Sequence, residues 1–389
     1  MPPKYYIGKY YIGMMSGTSA DGIDAALVTF NQIGRPSVHT TCYTAYPKPL
    51  QERINLLGQQ NNARRNQPEA QALDYALATA YASAAHNLIK VAGISSDEVR
   101  AIANHGQTVA HRPCSVPPES IQLGDPQRIA DLTQLAVVAN FRQADLDAGG
   151  QGAPLMPAFH AALLENISHS DKARIVLNLG GIANISVLTD QPEKIIGFDT
   201  GPANTLMNQW MKHIKGQNFD QDGSWAASGK ADPDLLQKLL SDPYFELPYP
   251  KSTGPDYFNL NWLQNISGDH IAHLPARDIQ ATLLAFTVAS IADALEPFCA
   301  NGAQVFVCGG GAHNSNLIEQ LKQRLTRCDV TTSDALGLPP DWVEAVGFAW
   351  LGWRHDQGLP GNLPSVTGAK AAVVLGEKYL PTGRDSVVL

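Results

Sequence analysis

The segment Tyr11-Ile-Gly-Met-Met-Ser-Gly-Thr-Ser-Ala-Asp-Gly-Ile-Asp24, with the apolar run 25–30 behind it, decides the fold. It predicts a strand, a polar glycine-rich turn and a second strand. The turn carries two hydroxyls and two carboxylates, those of Thr18, Ser19, Asp21 and Asp24. Gly17 and Gly22 allow backbone N–H groups to approach a phosphate, and the carboxylates suit Mg²⁺, directly or through water. Taken alone, the stretch also fits an ordinary tight hairpin.

The turn contains no lysine, and the chain has no G-x-x-x-x-G-K-[ST] phosphate loop. The nearest sequence, 223–230, has one residue too many and is followed by Ala231 where Ser or Thr is required. The chain is therefore predicted to hold phosphate differently from P-loop enzymes.

Two later segments have a related design. Residues 174–188 predict two apolar strands around the turn Gly180-Gly181. Residues 304–316 predict a buried strand that ends in Gly309-Gly310-Gly311 and leads into a helix. Glycines after strands let a nucleotide lie against the backbone. Since the first two segments each open about half of the chain, we expect an internal structural duplication.

The 389 residues exceed one ordinary core, so two domains are expected. The alternation of strands, helices and glycine turns predicts the α/β class. We expect two related domains of the actin-like ATPase (ribonuclease H-like) fold with a nucleotide cleft between them. The expected boundaries are 1–145 and 146–370, the second domain carrying the catalytic aspartate and adenosine site, with a tail, 371–389, available to pack on the first.

Composition restricts the function. The net charge of −8 and the lack of a basic run argue against nucleic-acid binding. No N-terminal signal core or membrane-spanning stretch is predicted. The five cysteines are dispersed, without C-x-x-C, which is typical of reduced thiols in the cytoplasm.

Gly197-Phe-Asp-Thr-Gly-Pro-Ala-Asn204 contains the strongest catalytic candidate. It predicts a strand end that presents Asp199, followed by a helix whose first N–H groups favour anions. A carboxylate there can take a proton from an attacking oxygen during phosphoryl transfer. An Asx-turn or N-cap role for Asp199 is the alternative.

Other polar residues leave more than one interpretation open. His105 and His111 lack a third ligand for a metal, so His105 is expected to position a loop or a substrate. Glu344, in the first turns of a predicted helix, can contact a sugar hydroxyl or favour the helix dipole.

Seven blocks together carry a family resemblance: Met15–Asp24, Asn104–Thr108, Phe141-Arg142 with Gly149–Pro154, Asn178–Asn184, Gly197–Pro202, Cys308–Asn314 and Gly337–Glu344. In this order they resemble the anhydro-N-acetylmuramic acid kinases of the sugar-kinase, actin and heat-shock ATPase superfamily, over nearly the whole chain. Two positions depart from the family. Ala20 replaces a large apolar residue, and Asn140 replaces the Asp that usually precedes Phe-Arg.

The resemblance implies an enzyme of peptidoglycan recycling. It would convert 1,6-anhydro-N-acetylmuramic acid, ATP and water to N-acetylmuramic acid 6-phosphate and ADP. Asp199 would activate the water, and the departing O6 would attack the γ-phosphorus. The alternatives are a plain sugar kinase without ring opening and a non-catalytic, ATP-driven conformational module.

The resemblance also implies a set of contacts. The phosphates would be held by Gly17, Thr18, Ser19, Ala20, Asp21, Gly22, Ile23 and Asp24 and by Gly180 and Gly181. Gly309, Gly310 and Gly311 would hold the adenosine, and Asp21 or Asp24 the Mg²⁺ shell. The expected sugar contacts are His105, Gln107, Thr108, Arg142, Gln151 and Glu344. We expect a cytoplasmic homodimer that binds ATP, Mg²⁺ and a small sugar, and neither nucleic acid nor membrane.

Overall fold

The computed structural model describes residues 8–17, 19–60, 63–164 and 172–382. The strands are β1 (Tyr10–Ser16), β2 (Gly22–Phe30), β3 (Pro36–Ala45), β4 (Val99–Arg112), β5 (Glu119–Leu123), β6 (Val137–Ala139), β7 (Ala173–Leu179), β8 (Ile182–Leu188), β9 (Ile196–Pro202), β10 (Ala303–Cys308), β11 (Cys328–Thr332) and β12 (Glu377–Tyr379). The α-helices are α1 (Lys48–Gly58), α2 (Pro68–Ala92), α3 (Pro126–Thr133), α4 (Phe141–Asp147), α5 (Met156–Leu164), α6 (Asn204–Lys215), α7 (Ser224–Ala227), α8 (Pro233–Leu240), α9 (Leu260–Ser267), α10 (Ala276–Leu295), α11 (Ser315–Arg324), α12 (Val343–Asp356) and α13 (Pro364–Thr367).

The chain divides into two units. Unit 1 comprises Met1–Asn166 and Trp342–Leu389, and unit 2 comprises Ile167–Asp341. The expected boundary near residue 145 therefore differs from the structure, because α5 packs on α12 within unit 1: Met156 and Phe159 occupy the space beside Gly347. The chain returns to unit 1 at Trp342, well before the tail that the sequence suggested.

The sheet of unit 1 has the order β12-β6-β4-β1-β2-β3, and β5 pairs with β4 outside this path. Strands β1, β4 and β6 run parallel, whereas β2 and β3 continue from β1 in antiparallel pairs. Ile12 and Met14 belong to the same core as Leu77 of α2. The opposite face carries α12, whose backbone at Ala345 fills the space that a Cβ of Gly13 would need. A glycine in β1 thus lets helix and sheet approach closely.

Unit 2 repeats this arrangement. Its sheet has the order β11-β10-β7-β8-β9, with β7, β8 and β9 antiparallel and β7, β10 and β11 parallel. Strands β7 to β11 therefore correspond in order and direction to β1, β2, β3, β4 and β6. The expected duplication is confirmed: both units have the ribonuclease H-like fold of the actin-like ATPases, in the α/β class.

Among the described residues, one helix, Ala276–Phe298, is long and apolar enough to cross a membrane. Most of its apolar window (61%) is buried inside the protein. Leu284, Ile291 and Leu295 lie in the core of unit 2 with the strands of its sheet. The helix is therefore packed as a core helix of unit 2.

Candidate active site

The turn between β1 and β2 is closed by hydrogen bonds within itself. The N–H of Ala20 donates to the carbonyl of Gly17 at 3.1 Å, and Ser19 Oγ donates to Asp21 Oδ1 at 2.8 Å. Among the described residues, the atom nearest to a Cβ added at Gly17 is Ser19 Oγ at 4.0 Å, so this backbone is open to a ligand. Asp21 is exposed and Asp24 is half-buried. Thr18 lies outside the described residues.

Three residues assigned to the phosphates from the sequence have packing roles in the turn. A Cβ on Gly22 would overlap the ring of Tyr43 and the backbone of Thr44, so glycine here permits the close approach of β3. Ala20 and Ile23 are 1% and 0% exposed. Only the backbone of Ala20 and Ile23 is therefore available to a nucleotide.

Gln107 lies directly against this turn. Its Oε1 accepts from Ser16 Oγ at 2.6 Å, and its Nε2 donates to the carbonyl of Gly17 at 3.1 Å. The side chain is 1% exposed, which favours support of the turn over the expected sugar contact. Residues 104–108 form part of β4, because β1 pairs with the first of them and β5 continues the ladder from Gln107 to Arg112.

His105, Arg142 and Glu344 come together in unit 1. Arg142 Nε donates to His105 Nε2 at 3.1 Å, which leaves the ring proton on Nδ1, where the carbonyl of Gly106 accepts it at 2.9 Å. Burial and the Arg142 charge hold the pKa of His105 well below its usual range, so the ring is neutral. His105 is 4% exposed and packs on Phe348, with ring centroids 4.6 Å apart. It therefore orients Arg142.

Burial disfavours the charged forms of both Arg142 and Glu344. Desolvation lowers the pKa of Arg142 to about 10 against the influence of Glu344 and Asp145, so the guanidinium remains charged at neutral pH. Desolvation raises the pKa of Glu344, and the Arg142 charge partly offsets that rise. A cation and a carboxylate are thus held in one polar cluster.

The glycine-rich segment 149–152 is tied to this cluster. Arg142 Nη1 donates to the carbonyl of Gly152 at 2.8 Å, while the N–H of Gly152 donates to Asp145 Oδ2 at 2.7 Å. Gln151 is exposed, and its N–H donates to the carbonyl of Thr367 at 2.8 Å. Thr108 Oγ1 instead accepts from Gln122 on β5 at 3.3 Å.

Asp199 lies in the middle of β9 (Ile196–Pro202), and not at the strand end that the sequence predicted, because β8 pairs with β9 as far as Pro202. Asn184 pairs with Asp199 and Ala183 with Gly201, so Thr200 is an extra residue and forms a β-bulge. Bulges redirect neighbouring side chains and recur beside active sites. Asp199 Oδ2 accepts from the N–H of Thr253 at 3.0 Å. Burial raises the pKa of Asp199 to about 6, although that hydrogen bond lowers it.

The start of α6 does not offer its first N–H groups to an anion. The N–H groups of Ala203 and Thr205 donate to the carbonyl of Gly181, and that of Asn204 donates to the carbonyl of Gly180. These bonds connect the 180–181 turn to α6 and correct the expectation of a free helix start. A Cβ on Gly180 or Gly181 would meet no atom closer than 3.5 Å, so the outer face of this turn is open.

Gly309, Gly310 and Gly311 differ in what surrounds them. A Cβ on Gly309, whose φ is +79°, would overlap the amide of Asn178, and one on Gly311 would overlap Leu179. Gly310 has open space within 4 Å. Two of these glycines therefore allow close packing on β7, and the third leaves backbone accessible.

Among the described residues, no group of three or more His, Cys, Asp or Glu side chains could hold a metal ion. Asp21 and Asp24 form a pair at the β1–β2 turn, and their charges add to the desolvation that raises the pKa of Tyr43 beside them. Mg²⁺ is commonly held by one or two carboxylates, with waters and substrate phosphates as the other ligands. The donor set at this turn fits that mode.

Comparison with known proteins identifies the family. The family model for anhydro-N-acetylmuramic acid kinase matches residues 9–381. A protein of that name from Shewanella amazonensis is 46% identical over 370 residues, 95% of this chain and 98% of the relative. Another from Coxiella burnetii is 44% identical over 371 residues, 95% and 97% of the two chains. The chain belongs to the anhydro-N-acetylmuramic acid kinase family.

Membership in the anhydro-N-acetylmuramic acid kinase family makes the chain a kinase that uses ATP and acts on a sugar. The non-catalytic conformational module is therefore not favoured. Among solved structures, the activator of the 2-hydroxyisocaproyl-CoA dehydratase from Clostridium difficile with bound ADPNP has a TM-score of 0.45 at 10% identity, over 90% of this chain and 96% of that one. The fold is assigned from the order and direction of the strands in the two sheets.

The sequence reasoning missed the residues that support the site. Asp145 has no special position in the pattern of α4, yet it holds the 149–152 segment. Tyr244, Lys251 and Thr253 surround Asp199 from a proline-rich stretch without periodicity. The family resemblance pointed to the segments 149–154 and 197–202, which these residues hold in place. No local sequence signal pointed to the supporting residues themselves.

Proposed function

We propose that this chain opens the anhydro ring of 1,6-anhydro-N-acetylmuramic acid with water and phosphorylates O6 with ATP. The products are N-acetylmuramic acid 6-phosphate and ADP. The observation that carries the proposal is the half-buried carboxylate of Asp199 on β9, whose pKa desolvation raises to about 6. Such a group is ionised at neutral pH and basic enough to accept a proton during reaction.

In this mechanism Asp199 removes a proton from a water molecule that attacks the anomeric carbon. The bond between C1 and the bridging oxygen breaks as the new C1–O bond forms. The released O6 takes the γ-phosphoryl group of ATP, and ADP leaves. Glycosidases need a second carboxyl group to protonate the leaving oxygen. Here phosphoryl transfer to O6 replaces that acid, so one carboxylate is sufficient.

The backbone of the β1–β2 turn and the turn 180–181 are proposed to bind the phosphates, and Gly310 with its neighbours the adenosine. Asp21 and Asp24 would hold Mg²⁺, which supplies positive charge to the phosphates when bound. Arg142 stays cationic below about pH 10 and suits the carboxylate of a muramic acid. Glu344 suits a sugar hydroxyl. The expected dimer and cytoplasmic location belong to this proposal.

The purified protein with ATP, Mg²⁺ and 1,6-anhydro-N-acetylmuramic acid tests the proposal. We expect sugar-dependent ADP release and a product heavier than the substrate by one phosphoryl group and one water. A product that gains only the phosphoryl group would instead establish a plain sugar kinase. ADP release that does not depend on the sugar would contradict both kinase reactions.

A further inference from the structure

Asp199 lies on an edge strand, where half of the backbone groups have no partner in the sheet. Its two outward peptide groups are nevertheless satisfied. The N–H of Asp199 donates to the carbonyl of Lys251 at 3.0 Å, and its carbonyl accepts from the hydroxyl of Tyr244 at 2.7 Å. One segment of the chain therefore covers the sheet edge at the residue proposed as base.

The same segment also holds the carboxylate. Thr253 donates its N–H to Asp199 Oδ2 at 3.0 Å. Lys251 Nζ donates to the carbonyls of Tyr244 and Phe245 at 3.0 and 3.3 Å and lies 4.6 Å from the centre of the Tyr244 ring. Tyr244, Lys251 and Thr253 thus form a closed set of contacts around Asp199, which we call the edge clamp.

Tyr244 is fixed by its surroundings. It is 6% exposed, and its ring meets those of Phe245 and Phe258 edge to face, with centroids 5.6 and 5.5 Å apart. Phe245 also lies so close to Gly201 that a Cβ there would come within 2.9 Å of the ring. The hydroxyl therefore has a defined position from which to hold the backbone of Asp199.

We propose that Tyr244 is a positioning residue that fixes Asp199 for proton transfer, and that Lys251 fixes Tyr244. This inference rests on the proposed role of Asp199 as the base. Without these hydrogen bonds, a base on an edge strand next to a bulge would have few backbone constraints. Because general-base catalysis requires hydrogen-bond distance to the attacking water, a small displacement of Asp199 lowers the rate.

The test is Tyr244→Phe, which keeps the ring packing and removes the donor to the Asp199 carbonyl. We expect kcat to fall roughly 10- to 100-fold, with KM for ATP and for the sugar within about threefold of wild type. Tyr257→Phe is the matched control, because the Tyr257 hydroxyl donates to Asp242 within the same aromatic cluster, at 3.0 Å. Its kcat should stay within about twofold of wild type.

A second variant covers the case in which Tyr244→Phe does not fold. Lys251→Met keeps an aliphatic stem over the ring and removes the two bonds to the backbone, so kcat should fall about 3- to 10-fold at unchanged KM. Equal losses in Tyr244→Phe and Tyr257→Phe, or full kcat in folded Tyr244→Phe and Lys251→Met, would overturn the inference. Asp199→Asn is measured in parallel. Full activity of this variant would show that Asp199 is not the base. An inactive Asp199→Asn together with fully active Tyr244→Phe and Lys251→Met would reject only the positioning role of the edge clamp.

Discussion

The carboxylate of Asp145 and the backbone N–H of Gly152 are joined by a 2.7 Å hydrogen bond in the interior of unit 1. Asp145 is fully buried and also accepts from Asn362 Nδ2 at 2.6 Å and from Thr367 Oγ1 at 2.7 Å. The carbonyl of the same Gly152 accepts from Arg142. A buried acid on α4 thus connects the C-terminal part of unit 1 to the side chain proposed to bind the sugar.

We expect Asp145→Asn to raise KM for the anhydro sugar about tenfold while KM for ATP stays nearly constant. The amide group cannot accept from all three donors, so the 149–152 segment and Arg142 shift. Steady-state kinetics with each substrate varied gives the two constants. Asp147→Asn, at an exposed acid on the same helix, is the control. A parallel rise in both KM values would contradict this role.

Replacing the proposed base by Asp199→Asn should lower kcat by about 10²- to 10⁴-fold. Nucleotide affinity, measured by calorimetry, should stay within a few-fold of wild type because Asp199 is not placed among the phosphate contacts. Asp234→Asn, at an exposed acid of α8, serves as the control and should be fully active. Turnover of Asp199→Asn within a few-fold of wild type would show that another group is the base.

The pKa of Asp199, about 6, predicts the acidic limb of the rate profile. The ionised carboxylate is the active form, so kcat should be constant above about pH 7 and fall tenfold per pH unit well below 6. Rates in overlapping buffers between pH 4.5 and 8.5 measure this midpoint. A midpoint near 4 would mean that the catalytic carboxylate is not desolvated.

The same raised pKa affects stability. The folded protein binds the proton of Asp199 more tightly than the unfolded chain, so its stability falls as pH rises from about 4 to 6. A rise from 3.8 to about 6 corresponds to roughly 3 kcal/mol at about 1.4 kcal/mol per unit. We expect Asp199→Asn to melt at a higher temperature than wild type at pH 8, with a smaller difference at pH 4. Equal melting curves at pH 8 would argue against a buried ionised group.

Gly17→Val and Gly181→Val should both weaken ATP binding. A Cβ at either position meets no close atom within the described residues, so we expect both variants to fold, and the new atoms occupy the space through which a phosphate would reach the backbone. Calorimetric titration with ATP measures the loss. Gly58→Val, at an equally open position on α1, is the control. Wild-type affinity in both folded variants would remove these turns from the phosphate site.

Turnover in ¹⁸O-water distinguishes the two kinase reactions. If Asp199 activates water at the anomeric carbon, the label enters C1 of the product, and O6 and the phosphate remain unlabelled. Attack opposite the bridge also gives an α-configured initial product, by inversion. Mass spectrometry with early-time NMR detects both features. An unlabelled or β-configured initial product would contradict the mechanism.

Local patterns in the sequence determined much of this protein. Alternating and continuous apolar runs around glycine turns predicted the strand pairs of both units, the duplication and a strand that carries Asp199, although Asp199 lies within β9 and not at its end. Strand pairing between neighbours in sequence, and turns that require small residues, depend on short-range sterics and burial. The base role proposed for Asp199 was inferred from a carboxylate close to a strand-to-helix turn, and the family was inferred from blocks of residues in order.

Tertiary structure alone decided the rest, because it depends on contacts between residues that are distant in the chain. Gln107 and Thr108 lie in a strand since β5 comes back to pair with them, and α12 returns to unit 1 since Gly13 admits its backbone. The pKa of Asp199 is raised by desolvation on burial and partly lowered by the N–H of Thr253, which is distant in the chain. Burial and hydrogen bonding at such places arise only when separate segments pack together, and no local sequence signal encodes them.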